Sequence, residues 1–257
     1  MSPHYMKTIF VFGDSYGDDS KPFIGADKTY VKLLSNYYNC AVINTAKGGA
    51  ANEYIMDKFF DTVDQIKEND IVIFLPTWHR RRWLIEDLPA VTVLMNLAKS
   101  IGGVRGFGRE LSEEEISYCT EVFLKSADAF EERKSKAYIK MMLSTLSEYQ
   151  RKIGFKSIVV NTFTEHKKYD NFINTSGLLH YVNENELADI KNFHQNYSEF
   201  RHNHLSLVNH TILAEKIIKA IESGEDIDLK SDFKEKIVYA KDIEESRINY
   251  KKIIERG

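Results

Sequence analysis

The sequence predicts an α/β fold built around a central parallel β-sheet. Short runs of β-branched and aromatic residues alternate with longer segments of helical period, which is the pattern of this fold class. The strand-like runs are continuously apolar, as expected for a sheet that is buried on both faces. The predicted strands are Lys7–Phe12, Ala41–Asn44, Asp70–Leu75 and Ser157–Val160.

Helices are predicted between and after these strands from the spacing of their apolar residues. The clearest one covers about 52–67 and carries one apolar face, formed by Ile55, Phe59, Val63 and Ile66. Two others are expected over about 28–38 and 207–222.

A segment at about 78–154 interrupts this alternation and is predicted to be a mostly helical insertion. Ser112 and Glu115 have the spacing of an N-terminal capping box, so one long helix or a pair of helices should follow and end at Gly154. The mostly charged residues 224–257 are predicted to form a helical C-terminal extension. Either helical segment could support a homo-oligomer.

Composition excludes several classes of protein. The chain has 257 residues, 43% of them hydrophobic, which suffices for a full core. The 35 basic and 38 acidic residues give a net charge of -3, which argues against a nucleic-acid or membrane-surface partner. Cys40 and Cys119 are too few and too far apart for a disulfide framework or a multi-thiolate metal site.

No run approaches the roughly 18 apolar residues that a membrane-spanning helix requires. The apolar run Thr8–Phe12 is too short for the core of a signal peptide. We therefore expect a cytoplasmic protein that has no membrane partner.

Gly13, Asp14 and Ser15 follow the first predicted strand directly. The serine then lies at the carboxyl end of a strand, where open α/β sheets bind their ligands. A serine hydroxyl needs a neighbouring base to act as a nucleophile. A simple turn, or an acid-rich metal or phosphoacceptor loop, would explain the same residues.

Histidines near the far end of the chain offer such a base. His202, His204 and His210 lie just before or at the start of the last predicted helix of the α/β region. A histidine at this position could face the loop that carries Ser15.

These segments, in this order, resemble the SGNH (GDSL-type) hydrolases, and the resemblance extends to about Ser223. Gly13–Ser15 matches the first block of that family, whose serine is the nucleophile. Asn44–Asn52 is similar to the second block, in which a glycine backbone N–H binds the oxyanion, and Gly49 is the matching residue. His204 matches the general base of the last block, and His210 is given a structural or supporting role.

The resemblance implies a three-layer α/β/α sandwich of flavodoxin-like topology, with one hydrolase-like domain over 1–223. It also implies a serine esterase or acylhydrolase that needs no cofactor. No metal is predicted, because the histidines lack the spacing of a recognisable zinc site. A nucleotide cofactor is not predicted either, because the chain has no glycine-rich nucleotide-binding motif.

Two blocks depart from the family pattern. Leu75–Arg81 replaces the usual Gly-x-Asn-Asp turn, so Thr77, an arginine or Asn52 is a further candidate for an oxyanion donor. The acid expected three residues before the histidine is Arg201. We therefore predict either a Ser15–His204 dyad or an atypical triad.

Substrate recognition is predicted for the basic cluster that follows the third strand. Arginines can bind a carboxylate or phosphate in a bidentate manner, and tryptophan can stack on a sugar ring. The alternative is that the arginines neutralise neighbouring acids and that the tryptophan packs under the insertion. The predicted substrate is a small ester, such as an O-acetyl group on a carbohydrate. A binding or structural protein that retains the fold without catalysis is the alternative function. The candidate substrate-binding residues are His79, Arg80, Arg81 and Trp83.

Overall fold

The structure is a computed structural model that describes residues 8–19, 28–77, 81–95, 101–125, 128–161, 171–175, 205 and 207–229. Its elements begin with β1 (Thr8–Phe12), α1 (Tyr30–Tyr38), β2 (Ala41–Asn44), α2 (Asn52–Thr62) and β3 (Ile71–Phe74). They continue with β4 (Arg81–Arg82), β5 (Val91–Met95), β6 (Ile101–Gly106), α3 (Glu113–Lys125) and α4 (Asp128–Ile153). The last described elements are β7 (Lys156–Val159), β8 (Ile173–Asn174) and α5 (Leu207–Ser223).

The central sheet has the strand order β2-β1-β3-β7-β8. β1 and β3 pair in parallel with Ile9 opposite Ile71, and β3 pairs in parallel with β7. All four residues of β3 are completely buried, which explains their uninterrupted apolar character. The predicted α/β class is therefore confirmed: a central parallel sheet is flanked by helices, and its strand order is that of a doubly wound fold.

The described residues group into two compact units. The first contains the described residues of 1–18, 42–160 and 169–172, and the second contains those of 19–41, 161–168 and 173–257. The predicted single domain over 1–223 stays a prediction. From residue 230 onward, the predicted helical extension lies outside the residues that the structure describes.

One hydrophobic core of the first unit joins β1 and β3 to α2 and α4. Aromatic rings form its centre, and the ring of Phe12 meets that of Phe59 edge-on at 5.5 Å between centroids. The apolar face predicted for the helix over 52–67 is confirmed, because all four of its residues are buried. This packing fixes the strands whose carboxyl ends carry the candidate site.

The second unit contains α1 and α5, which pack against each other. The backbone N–H of Tyr30 donates to Nδ1 of His210 at 3.3 Å, and the two rings stack with centroids 5.9 Å apart. Thr29 caps α1, since its hydroxyl accepts the N–H of Lys32. His210 thus helps to fix the start of α1, which agrees with the structural role suggested for it.

The insertion contains the predicted helices and also a small sheet that the sequence did not predict. β4, β5 and β6 form an antiparallel sheet in that order. Its core includes Leu88, Val91 and the buried thiol Cys119. β4 is only the dipeptide Arg81–Arg82, and glycines interrupt β6, so neither segment has the composition typical of a strand. No helix among the described residues is long and apolar enough to cross a membrane.

The predicted capping box is present at the start of α3. The N–H of Glu115 donates to Oγ of Ser112 at 3.2 Å, and the N–H of Ser112 donates to Oε2 of Glu115 at 2.8 Å. A hydrogen bond from Arg109 helps to lower the pKa of Glu115 to about 2, so its side chain is ionised at neutral pH.

Replacing Ser112 by alanine is expected to lower the free energy of unfolding by about 1 kcal/mol, because the N–H of Glu115 loses its acceptor. Ser144 is exposed within α4, and its replacement by alanine should leave stability unchanged or raise it slightly, since alanine is the better helix former. Urea unfolding of both variants tests the difference. Equal changes in the two variants would contradict the role of the cap.

Candidate active site

The candidate site lies where the order of the sheet reverses. β1 and β3 are neighbours in the sheet, and the strands that follow them along the chain within this sheet, β2 and β7, lie on opposite sides of that pair. In open parallel sheets, ligands bind beyond the carboxyl ends of the strands at this point. Gly13, Asp14 and Ser15 follow β1 here, and Leu75, Pro76 and Thr77 follow β3.

Ser15 lies in a tight turn immediately after β1. The carbonyl of Asp14 accepts the N–H groups of Gly17 at 3.0 Å and Asp18 at 3.1 Å, which closes the turn. Gly13 leaves no room for a side chain, because a Cβ there would lie 2.6 Å from Cβ of Leu75. Ser15 is partly exposed although the residues on both sides of it are buried. Neither its hydroxyl nor its N–H makes a hydrogen bond within the described part of the chain.

The Asp14 side chain is completely buried and joins three segments. Its Oδ2 accepts the hydroxyl of Thr77 at 2.9 Å and an N–H of Arg81 at 2.7 Å. Its Oδ1 accepts the N–H of Tyr16 at 3.1 Å. A buried carboxylate is stable only when it is paired and hydrogen-bonded, and Arg81 supplies the opposite charge.

Asn52 holds the loop that follows β3. Its side-chain amide donates to the carbonyl of Thr77 at 3.0 Å, and its side-chain oxygen accepts the N–H of Thr77 at 2.8 Å. Both residues are buried. The side chains of Asn52 and Thr77 therefore tie the loop after β3 to the start of α2 and to Asp14.

The loop that follows β2 is tied to the Ser15 turn by three hydrogen bonds. The Asn44 side chain donates to the carbonyl of Gly17 at 2.8 Å. The N–H of Lys47 donates to the carbonyl of Gly13 at 3.0 Å, and the N–H of Gly48 donates to Asp18 at 2.8 Å. The loops that carry Ser15 and Gly49 are thus one hydrogen-bonded assembly.

Gly49 occupies a position that only glycine fits well. Its φ is +83°, and the N–H of Ala50 donates to the carbonyl of Lys47 at 3.0 Å, as in a type II turn. A Cβ on Gly49 would lie 2.1 Å from the ring of Phe107. Within the described residues, the N–H of Gly49 makes no hydrogen bond.

The small sheet of the insertion places aromatic and basic side chains next to this loop. The N–H of Phe107 donates to the carbonyl of Ala90, and the N–H of Ala51 donates to the neighbouring carbonyl of Pro89, both at 3.0 Å. Residues 89 and 90 therefore hold both Phe107 and the end of the Gly49 loop.

Trp83 and Arg82 pack on α2. The Trp83 ring meets the ring of Tyr54 edge-on at 5.8 Å, and Arg82 Nε lies 3.2 Å from a carboxylate oxygen of Glu53. Burial raises the pKa of Glu53, although Arg82 acts in the opposite direction. The indole N–H of Trp83 is buried without a partner in the described part of the protein.

The structure brings Ser15, Gly49, Asn52, Thr77 and Arg81 into one connected assembly. His79, Arg80 and His204 lie outside the described residues, so their predicted roles stay predictions. Sequence reasoning did not identify Phe107 or Arg105, and the apolar run Val91–Met95 was the available signal for a sheet in that region. No group of three or more histidine, cysteine or acidic side chains in the described ranges could hold a metal ion.

No family model and no curated protein matches the chain. Among solved structures, it is similar to the Bacillus subtilis protein YXIM, with 14% sequence identity and a TM-score of 0.33. The similarity covers 65% of this chain and 38% of that one, so the chain spans well under half of that protein's length.

Proposed function

We propose that the protein is a serine ester hydrolase of the SGNH type, with Ser15 as its nucleophile. The supporting observation is the position of Ser15: it is partly exposed in a tight turn at the point where the sheet order reverses. The turn is fixed by backbone hydrogen bonds and by the buried Asp14. The Ser15 hydroxyl has no hydrogen-bond partner among the described residues, which leaves it available to a base and to a substrate.

The proposed reaction transfers an acyl group to water in two steps. The family resemblance assigns His204 as the general base. His204 takes the proton of the Ser15 hydroxyl while the hydroxyl oxygen of Ser15 attacks the ester carbonyl carbon. The C–O bond to the alcohol then breaks, the alcohol leaves with the proton from His204, and an acyl-enzyme remains. Water attacks that acyl group in the same way, which releases the acid and restores Ser15.

The proposed oxyanion donors are the backbone N–H groups of Ser15 and Gly49. Their loops are joined by hydrogen bonds, so the two donors are held before a substrate arrives. One preorganised donor of this kind contributes about 10²- to 10³-fold in rate. The Thr77 hydroxyl would have to give up its hydrogen bond to Asp14 before it could donate. Asn52 uses one of its two amide N–H donors to hold the Thr77 carbonyl, so we assign both residues a supporting role.

The proposed substrate is a small ester, such as an O-acetyl group on a carbohydrate. Trp83 supports a carbohydrate because it is partly exposed, and an aromatic face can stack on the apolar face of a sugar ring.

Replacing Ser15 by alanine is expected to lower kcat/KM for p-nitrophenyl acetate by about 10³-fold or more, because the nucleophile is lost. Stability should change by only about 0.5 kcal/mol, since the Ser15 side chain makes no hydrogen bond in the described structure. A fluorophosphonate probe should label the wild type and the Ser144→Ala control but not the Ser15→Ala variant.

Unchanged hydrolysis by the Ser15→Ala variant would refute Ser15 as the nucleophile. If the folded wild type neither hydrolyses esters nor reacts with the probe, the alternative of a binding or structural protein with this fold is favoured. Replacing His204 by alanine should remove labelling as well, if His204 is the base.

A further inference from the structure

Two arginines lie against the ring of Phe107, the side chain that covers Gly49. The guanidinium carbon of Arg81 is 5.3 Å from the ring centroid, and that of Arg105 is 5.5 Å away. Both distances are in the range of cation–π contacts. The two arginines are therefore grouped around one ring beside a proposed oxyanion donor.

The charge of Arg81 is already compensated inside the protein. Its side chain is 11% exposed, and its Nη1 lies 2.7 Å from the completely buried carboxylate of Asp14. The same nitrogen donates to the hydroxyl of Thr77 at 2.5 Å. Arg81 is therefore a structural cation, as in the alternative considered for the basic cluster.

Arg105 differs from Arg81 in exposure and in charge compensation. It lies on β6 opposite Thr92 of β5, and its side chain is exposed. It forms no ion pair with a carboxylate among the described residues. Its planar guanidinium offers donors that match a carboxylate in a bidentate arrangement. The contact with Phe107 restrains the side chain, which lowers the entropy that binding would cost.

We infer that Arg105 determines specificity by binding a carboxylate on the substrate. This inference rests on the proposed esterase function and refines its substrate class to esters that carry a carboxylate close to the scissile bond. Phe107 connects the two sites physically, because its ring contacts Arg105 and also occupies the space above Gly49. A neutral ester would leave the charge of Arg105 facing water.

The test compares kcat/KM for charged and neutral esters of matched shape. In the first pair, mono-4-nitrophenyl succinate carries a carboxylate in its acyl part, and 4-nitrophenyl butyrate is the neutral ester. In the second pair, 4-acetoxybenzoate carries a carboxylate in its alcohol part, and the methyl ester of 4-acetoxybenzoate is the neutral compound. The wild type should prefer the charged ester in at least one pair, and that pair identifies the side of the bond on which Arg105 lies.

In the Arg105→Gln variant, the ratio of charged to neutral kcat/KM should fall about 10- to 100-fold, the usual effect of a hydrogen bond to a charged group. The Arg105→Lys variant, which keeps the charge without the planar fork, should give an intermediate ratio. Arg133→Gln removes an equal charge from an exposed site on α4 and should leave the ratio unchanged.

The outcomes separate this inference from the function on which it rests. If the wild type hydrolyses the neutral esters but shows no preference for either charged ester, or if Arg105→Gln retains the wild-type ratio, the inference is refuted and the esterase proposal stands. If the folded wild type hydrolyses none of the four esters but reacts with the fluorophosphonate probe, only the inference is refuted. If it also fails to react with the probe, both proposals are refuted.

Discussion

Replacing Arg81 by methionine is expected to lower the free energy of unfolding by about 3–5 kcal/mol, because a buried carboxylate loses its compensating charge. Asp14 is completely buried, and Arg81 provides its ion pair at 2.7 Å. The Thr77 hydroxyl and the Tyr16 N–H would remain as hydrogen-bond donors to Asp14, but neither carries a positive charge. Urea unfolding, followed by circular dichroism, measures the loss.

Arg82 provides a matched control on the same short strand. Its ion pair with Glu53 has side chains that are 30% and 31% exposed, so it is less buried than the Asp14–Arg81 pair, whose side chains are 0% and 11% exposed. The Arg82→Met variant should therefore lose only about 0–1 kcal/mol. In a double-mutant cycle of Arg81→Met with Asp14→Asn, the combined loss should be smaller than the sum of the two single losses. Equal losses in Arg81→Met and Arg82→Met, or additive losses in the cycle, would contradict the role given to Arg81.

The Asp14–Arg81 pair also links the insertion to the turn that carries Ser15. Asp14 precedes Ser15 directly, and its Oδ1 fixes the N–H of Tyr16 on the other side. Loss of Arg81 should therefore disturb the position of Ser15, so the activity of Arg81→Met should fall even under conditions where the protein is fully folded. Misplacement of a nucleophile by about 1 Å is enough to lower the rate about 10²-fold.

The pattern of apolar residues predicted the strands and helices of the central sheet region, because each of these elements is buried either on one face or on all sides. A strand such as β3, which is buried on both faces, must be apolar throughout, and a helix such as α2 must have one apolar face. The predicted and observed boundaries of these elements agree within a few residues. The exception is the predicted helix over 52–67, in which α2 ends at Thr62 and a short 3₁₀ turn covers Val63–Gln65. Such elements can be recognised from local sequence because their burial pattern repeats along the chain.

From the local sequence alone, without the family resemblance, the candidate site was predictable only where its residues form short motifs. Gly13, Asp14 and Ser15 form one short motif at the end of a strand, and the Gly48–Gly49 pair marks a turn. The partnership of Asp14 with Arg81 spans 67 positions and has no local signature. The same holds for the approach of Phe107 to Gly49, because β4 is only two residues long and β6 is rich in glycine, so both are defined by pairing with β5 in space.

Replacing Gly49 by alanine is expected to reduce both stability and activity. At φ +83° a Cβ costs about 1–2 kcal/mol, and the contact at 2.1 Å from the Phe107 ring adds overpacking of about 1–3 kcal/mol. The backbone must shift to relieve this contact, which moves the proposed oxyanion donor. We therefore expect kcat for an ester to fall about 10²- to 10³-fold.

Two further variants separate the two costs of Gly49→Ala. Gly224 has a similar φ of +76°, but a Cβ there would meet nothing within 4 Å. Gly224→Ala should therefore lose only the backbone contribution, about 1–2 kcal/mol, and retain the proposed esterase activity. Adding Phe107→Ala to Gly49→Ala removes the ring from the path of the new Cβ, so the added alanine should cost less stability in that background than in the wild type. If Gly49→Ala costs no more stability than Gly224→Ala and retains full activity, then neither the contact with Phe107 nor the position of the Gly49 N–H matters for the reaction.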